Sequence, residues 1–172
     1  MQIIEYFTSK DKAHWLEETA KAEWDAAKFL HYLLSEGKLK ETVGDSALVP
    51  LLTDGKKLVS FCTLAPLDDV QPSDLSPWIG FVYTAPEYRG HHYAGKLLKW
   101  AENTATVKGN KAVYISTNHT GLYEKYGYKF FKMAKSIDGE ETRIYRKKLS
   151  PDGEKNNMAA CLTKKISQSI VL

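Results

Sequence analysis

The apolar positions along the chain change period several times, and each change marks an element. Ile3 to Phe7 reads as a short first strand. Leu16, Ala20, Trp24, Ala27, Leu30 and Leu34 then recur at helical spacing, which predicts one long helix with a single inward face, N-capped at Thr8, Ser9 or Asp11 and stopped at Gly37. The LKET stretch between Gly37 and Gly44 predicts a short helix or a loop. Ala47 to Thr53 and Lys57 to Ala65 are β-rich runs joined by Asp54-Gly55, a pair that favours a tight hairpin. The proline- and aspartate-rich segment 66–77 predicts a loop, and it leads into WIGFVYT, a continuous apolar run suited to a strand buried on both faces.

Past the turn APEYRGHHYAG, Leu97, Leu98, Ala101 and Ala105 share one face of a helix that Gly109 ends. Lys111 to Thr117 returns as a strand, and strand-helix-strand order implies a right-handed crossover with parallel pairing of the fourth and fifth strands. A short helix in GLYEKYG follows, and Asp138-Gly139 turns a final hairpin of KFFKMAK and ETRIYRKKL. No internal repeat interrupts this order.

At 172 residues and 43% hydrophobic content the chain can bury one core, which favours a single domain over residues 1–149. Residues 150–172 open with the linker-like PDGEKNN and read as a tail that is flexible or weakly helical. A formal charge of +3 suits a local anionic ligand but falls short of the basic stripe of a nucleic-acid binder. Cys62 and Cys161 lack the paired spacing of a zinc or redox site, so no metal is expected and a reducing, cytoplasmic setting is the simplest reading. No segment has the roughly 18 continuous apolar residues of a membrane span.

Two segments carry chemistry. In Tyr88-Arg89-Gly90-His91-His92-Tyr93-Ala94-Gly95 a buried strand passes into a helix through turn-permissive residues, leaving backbone N–H groups free at the helix start. Free donors and the helix dipole make an anion site, to which Arg89 adds a fixed positive charge. Alone this is a weak signal, because such turns are common in α/β proteins that hold no ligand. The second segment, one strand further on, is Tyr114-Ile115-Ser116-Thr117-Asn118 followed by Leu122-Tyr123-Glu124-Lys125-Tyr126-Gly127-Tyr128.

In these two segments, taken in this order, the chain resembles the GNAT superfamily of acetyl-CoA-dependent N-acetyltransferases, over roughly Ile3 to Leu149. The signatures are Val82 to Gly90, continuing to Ala94 and Gly95, and the block Asn118 to Tyr128 with its aromatic, acidic, basic, x, Gly, aromatic ending. The resemblance implies an α/β (α+β) fold: a mixed, mostly antiparallel sheet of six to seven strands flanked by helices, with strands four and five parallel and splayed. It further implies that main-chain groups of Val82, Tyr83 and Thr84 pair with the pantetheine arm as an added strand. An N–H of that strand would polarise the thioester carbonyl. The amides of Gly90, His91, His92, Tyr93, Ala94 and Gly95 would take the pyrophosphate, and Asn118 would contact the cofactor. Tyr123 would protonate the leaving thiolate as general acid.

Glycine usually stands in that superfamily where this chain has His92, so either the loop keeps a negative φ there or the imidazole leans over the phosphates. His91 and His92 otherwise read as solvated loop residues. Neither the fourth nor the fifth strand has a carboxylate, which leaves the general base to a water chain, to Asp68 or Asp69, or to His119, with Glu87 a solvated turn residue. Trp15, Trp24, Trp78, Tyr83 and Tyr126 are available to line an acceptor pocket, with Asp68, Asp69 and Asp74 to attract an amine. The plainer reading makes Trp24 core and the aspartates a solvated loop.

The implied activity is acetyl transfer from acetyl-CoA to a primary amine by direct attack in a ternary complex. A small-molecule amine such as a polyamine, an aminoglycoside or an amino-acid-like metabolite is favoured over a peptide amine. Neither nucleic acid nor membrane is an expected partner, and homodimerisation through the last strands or the tail is compatible with the pattern. A non-catalytic acyl-CoA sensor or scaffold is the alternative, motivated by His92 and the missing strand carboxylate.

Overall fold

The computed structural model describes residues 1–150. Its strands are β1 (Gln2–Glu5), β2 (Pro50–Asp54), β3 (Lys57–Ala65), β4 (Trp78–Thr84), β5 (Ala112–Thr117), β6 (Lys129–Lys135) and β7 (Glu141–Lys148). Helices α1 (Lys12–Ala20), α2 (Asp25–Ser35), α3 (Leu39–Val43) and α4 (Tyr93–Val107) complete it, with 3-10 turns at Tyr6–Thr8, Pro86–Tyr88 and Tyr123–Tyr126. Among the described residues the seven strands form one sheet in the order β1-β2-β3-β4-β5-β7-β6. The expected tail, and Cys161 within it, lie outside the described residues.

The long helix expected from the stripe Leu16 to Leu34 is in fact two. Thr19 is fully buried in the last turn of α1, where its hydroxyl donates to the Leu16 carbonyl at 2.7 Å and lies 3.2 Å from Nδ1 of His31 on α2. A side chain bonded back to its own helix competes with the main-chain ladder, and here it also ties the two helices side by side. Ala22 turns inward at the break, and Trp24 precedes α2 in an extended conformation. Ala20 and Trp24, which carried the stripe across the break, are consequently exposed.

Both hairpins form where the Asp-Gly pairs stand. Asp54 pairs with Lys57 around Gly55 at φ +59°, and Lys135 pairs with Glu141 around a turn with Gly139 at φ +83°. Helices α1 and α2 cover one face of the sheet and α4 the other. Leu51, Phe61 and Tyr83 pack with Leu30 and Leu34, whereas Leu52, Cys62 and Ile79 pack with Leu97, Leu98 and Ala101. This two-sided burial is why β2 and β3 are almost wholly inaccessible.

β7 enters between β5 and β6 and pairs with β5 antiparallel from Ala112↔Lys148 to Thr117↔Arg143. The one parallel pairing among the described strands is β4–β5, and it holds only at Trp78↔Tyr114, supported by the Tyr114 amide on the Pro77 carbonyl at 3.1 Å. Beyond that point the strands part. On its other side β4 carries a bulge: Phe61 pairs with Tyr83 but Thr63 with Gly80, so β4 spends one residue more, and Phe81 sits at φ +50°. A bulge bends its strand and raises the local twist, which carries the rest of β4 away from β5.

One buried polar cluster holds the open end together. Glu102 of α4 is 3% exposed and receives Lys147 Nζ from β7 at 2.8 Å on both carboxylate oxygens, and the Tyr128 hydroxyl at 3.1 Å. Lys147 Nζ also donates to the Tyr126 carbonyl at 2.7 Å. No helix among the described residues is long and apolar enough to cross a membrane.

Candidate active site

The parting of β4 from β5 opens a cleft of about 610 Å³. Its walls are β4 from Ile79 to Thr84, the loop and first turn leading into α4, the end of β5 and the 3-10 turn at Tyr123–Tyr126. Val82, Tyr83, Thr84, Arg89, Gly90, His92, Tyr93, Ala94 and Tyr123, all candidates from the sequence, line it together.

At the α4 end the chain passes through Gly90 at φ +81° and His92 at φ +58°, ψ +26°. The amides of residues 90–95 donate to no backbone carbonyl outside a helix or strand among the described residues, as expected of a loop and the first turn of a helix. Arg89 is held beside this opening by its Nε, which donates to the Thr84 carbonyl at 3.0 Å, and its guanidinium lies 6.0 Å from the Tyr83 ring centroid.

His92 therefore adopts the left-handed conformation, not the negative φ. Histidine visits that region more readily than most residues, yet still at a cost of about 1 kcal/mol relative to glycine. Its Nδ1 lies 3.5 Å from the Tyr126 hydroxyl, so the ring leans on the cleft wall. His92→Gly is expected to raise stability by about 1 kcal/mol and the melting temperature by about 2–4 °C. Thermal denaturation checks this, and a variant that melts below the parent would show that the imidazole contact outweighs the backbone strain.

Gly95 does not face the cleft. A Cβ there would meet Cε1 of Tyr126 at 2.5 Å, so glycine is what lets the Tyr126 ring approach α4 this closely. His91 is exposed outside the cleft, its ring 5.6 Å from that of Tyr93. Asn118 is also off the cleft wall: its amide donates to the Glu141 carbonyl at 3.1 Å and ties the end of β5 to β7. His119 lines the mouth and is exposed, its backbone N–H on Thr117 Oγ1 at 3.1 Å.

Tyr123 is 6% exposed, packed edge-on to Tyr128 with ring centroids 6.1 Å apart, and its hydroxyl has no hydrogen-bond partner among the described residues. The neighbouring phenols are occupied: Tyr128 on Glu102, and Tyr145 on Glu124 at 2.8 Å. Burial above all, with Cys62, Asp68 and Tyr126 adding to it, pushes the Tyr123 phenol well above its usual range. It keeps its proton at neutral pH and presents a free O–H donor to the cleft.

Of the three loop aspartates, the structure sends only Asp68 inward, and Asp74 is exposed. A Cβ at Gly80 would lie 2.9 Å from Asp68 Oδ2 and 3.1 Å from Thr63 Oγ1, so the carboxyl rests against the backbone of β4 where only glycine leaves room. Burial first, then the charge of Asp69, pushes it up to about 7, against the opposing pull of the Asp69 amide on Oδ1 at 2.8 Å. Asp69 is exposed and meets the fold through its carbonyl, which accepts from the Ile137 amide at 2.7 Å. The available signal was Gly80 itself, since a glycine inside an apolar strand marks a close approach.

The aromatics divide as well. Trp15 and Trp78 are core, whereas Trp24 is 44% exposed and lines the cleft with Tyr83 and Tyr126. The reading of Trp24 as core fails because α1 ends before it, which rotates the residue off the buried face. Phe81 on the bulge, not singled out from sequence, joins the same wall.

A splayed parallel pair with free donors at one end and a free phenol at the other leaves an open strand edge, with room beside it for an extended ligand. Residues 6–128 match the model of the acetyltransferase (GNAT) family, and the chain belongs to that family. Solved structures agree on the fold. The aminoglycoside 6'-N-acetyltransferase from Enterococcus faecium superposes with a TM-score of 0.64 at 15% identity, covering 88% of this chain and 98% of that one. A GNAT family N-acetyltransferase from Escherichia coli, solved in complex with CoA, gives 0.62 at 22% identity over 88% of this chain and 82% of that one. No curated protein sequence matches the chain significantly.

Proposed function

We propose that the protein transfers the acetyl group of acetyl-CoA to a primary amine by direct attack within a ternary complex. The observation that supports this most is the open β4 edge, which runs from the free amides at the start of α4 to the unpartnered Tyr123 hydroxyl. The pyrophosphate meets residues 90–94 and Arg89, and the pantetheine arm lies along Val82 to Thr84. The amine nitrogen attacks the thioester carbon, a C–N bond replaces the C–S bond, and the thiolate takes the proton of Tyr123. The proton lost by the nitrogen passes through water to Asp68 across Gly80.

Acetyl-CoA is expected to raise the melting temperature, and Arg89→Ala to weaken its binding about tenfold by removing one charged contact. Thiol release with a panel of amines then tests turnover. Absence of both stabilisation and thiol release would sink the proposal, and stabilisation without turnover on any amine would favour the sensor reading.

Asp68 sets a pH dependence. It gains its negative charge as pH rises through about 7, so kcat/KM should climb through an acidic limb there, and Asp68→Asn should remove the limb and lower the rate at pH 8 about a hundredfold. The stability trend runs the other way. A carboxyl raised in the folded state binds its proton more tightly folded than unfolded, so stability falls as pH rises from the ordinary carboxylate range to about 7, and the loss is complete above that. Asp68→Asn should therefore melt above the parent at pH 8, with the difference vanishing near pH 4. A parent-like pH profile in Asp68→Asn would assign the base elsewhere.

A further inference from the structure

The cleft has two unlike halves, one on each face of the sheet. Val82 and Tyr93 pack with the α4 cluster, on the side of the anion site. Phe81 and Tyr83 pack with the α1–α2 cluster, on the opposite side. On that second side Trp24 and Tyr83 lie nearly parallel, 6.4 Å apart at 6°. The apolar surface continues outward from Phe81 to Phe29 at 6.3 Å and from Phe29 to Tyr32 at 6.4 Å. Trp24, Phe29 and Tyr32 are each close to half exposed, at 44%, 49% and 47%. Aromatic surface left open beside a cleft is binding surface.

Charge narrows what it binds. None of the residues that line the cleft is an aspartate or glutamate, while Arg89 and Lys125 both do. Polycations need several carboxylates, and this wall offers none. Asp68 beneath Gly80 is a single inward carboxyl, enough for one nitrogen. Aromatic faces, by contrast, favour a planar apolar body and tolerate an ammonium approaching over the ring.

Resting on the acetyl-transfer reading, we infer that the acceptor is a monoamine carried on an aromatic body, with Trp24 as a specificity-determining residue. The α1–α2 break serves this role: ending α1 early brings Trp24 from the core stripe to the mouth of the cleft.

The test compares initial rates of thiol release from acetyl-CoA with 2-phenylethylamine, tyramine, propylamine, spermidine and kanamycin, in the parent, Trp24→Ala and Trp24→Phe. The two arylalkylamines should exceed spermidine and kanamycin at least tenfold in kcat/KM. Trp24→Ala should reduce kcat/KM for the arylalkylamines about tenfold, mainly through KM, while leaving propylamine within about threefold, and Trp24→Phe should restore most of the loss. Preference for spermidine or kanamycin, or an equal loss on propylamine, would overturn the inference while leaving acetyl transfer intact. Sedimentation of the same variants provides a further check: a dimer that Trp24→Ala converts to monomer would show that the patch is an interface between copies, and would also overturn it. Thiol release with none of the five amines removes the inference together with the reading on which it rests.

Discussion

Tyr123→Phe is expected to lower kcat by about 10²- to 10⁴-fold while leaving the KM for acetyl-CoA within about threefold. The substitution removes one oxygen and nothing else of consequence. Because the hydroxyl has no partner among the described residues, its loss orphans no buried donor or acceptor, and the ring keeps its edge-on contact with Tyr128. The melting temperature should therefore match that of the parent within about 2 °C. Tyr128→Phe is the control: its hydroxyl is spent on Glu102, so its loss should cost stability and spare kcat. Steady-state kinetics and thermal denaturation on the two variants decide the matter. Parent-like turnover in Tyr123→Phe would reassign the proton donor.

Glu102→Ala should produce the largest loss of stability, about 3 kcal/mol, lowering the melting temperature by about 6–12 °C. The Glu102 side chain is buried and meets that of Lys147, itself only 26% exposed, together with the Tyr128 hydroxyl. Removing it strands a partly buried ammonium and a buried phenol at once. The ammonium also holds the Tyr126 carbonyl, and Tyr126 leans on Gly95 and His92, so the aromatic end of the cleft should loosen with it. Glu102→Gln keeps hydrogen-bonding atoms in place and should lose less. Calorimetry on the two variants measures the difference, and an alanine variant within about 1 kcal/mol of the parent would show that water replaces the carboxylate at little cost.

Much of this molecule could be read without coordinates wherever a local rule decides. The Asp-Gly turns fixed two hairpins, Gly109 ended α4, and strand-helix-strand order set β4 and β5 parallel. Each depends on residues a few positions apart, and local chemistry is sufficient for that. The α1–α2 break was not legible, because the stripe Leu16 to Leu34 satisfies one helix as well as two. What divides it is Thr19 meeting His31 across twelve residues, a contact visible only once the chain has folded back.

The site shows the same division. The residue types of Tyr88 to Gly95 and of Asn118 to Tyr128 were enough to single out two segments that meet in one cleft, because both flank one crossover. Sequence could not separate Asp68 from Asp69, nor place Trp24, Asn118 or His91. Adjacent loop residues have equal chemistry until packing turns one inward, and Asp68 is turned by the space that Gly80 leaves on β4. The sequence by itself determined the family, the order of elements and the two segments that wall the cleft. Only the tertiary structure decided which carboxyl is buried, which phenol is free and which aromatics face the cleft. Burial and partnership are properties of surfaces brought together from distant parts of the chain.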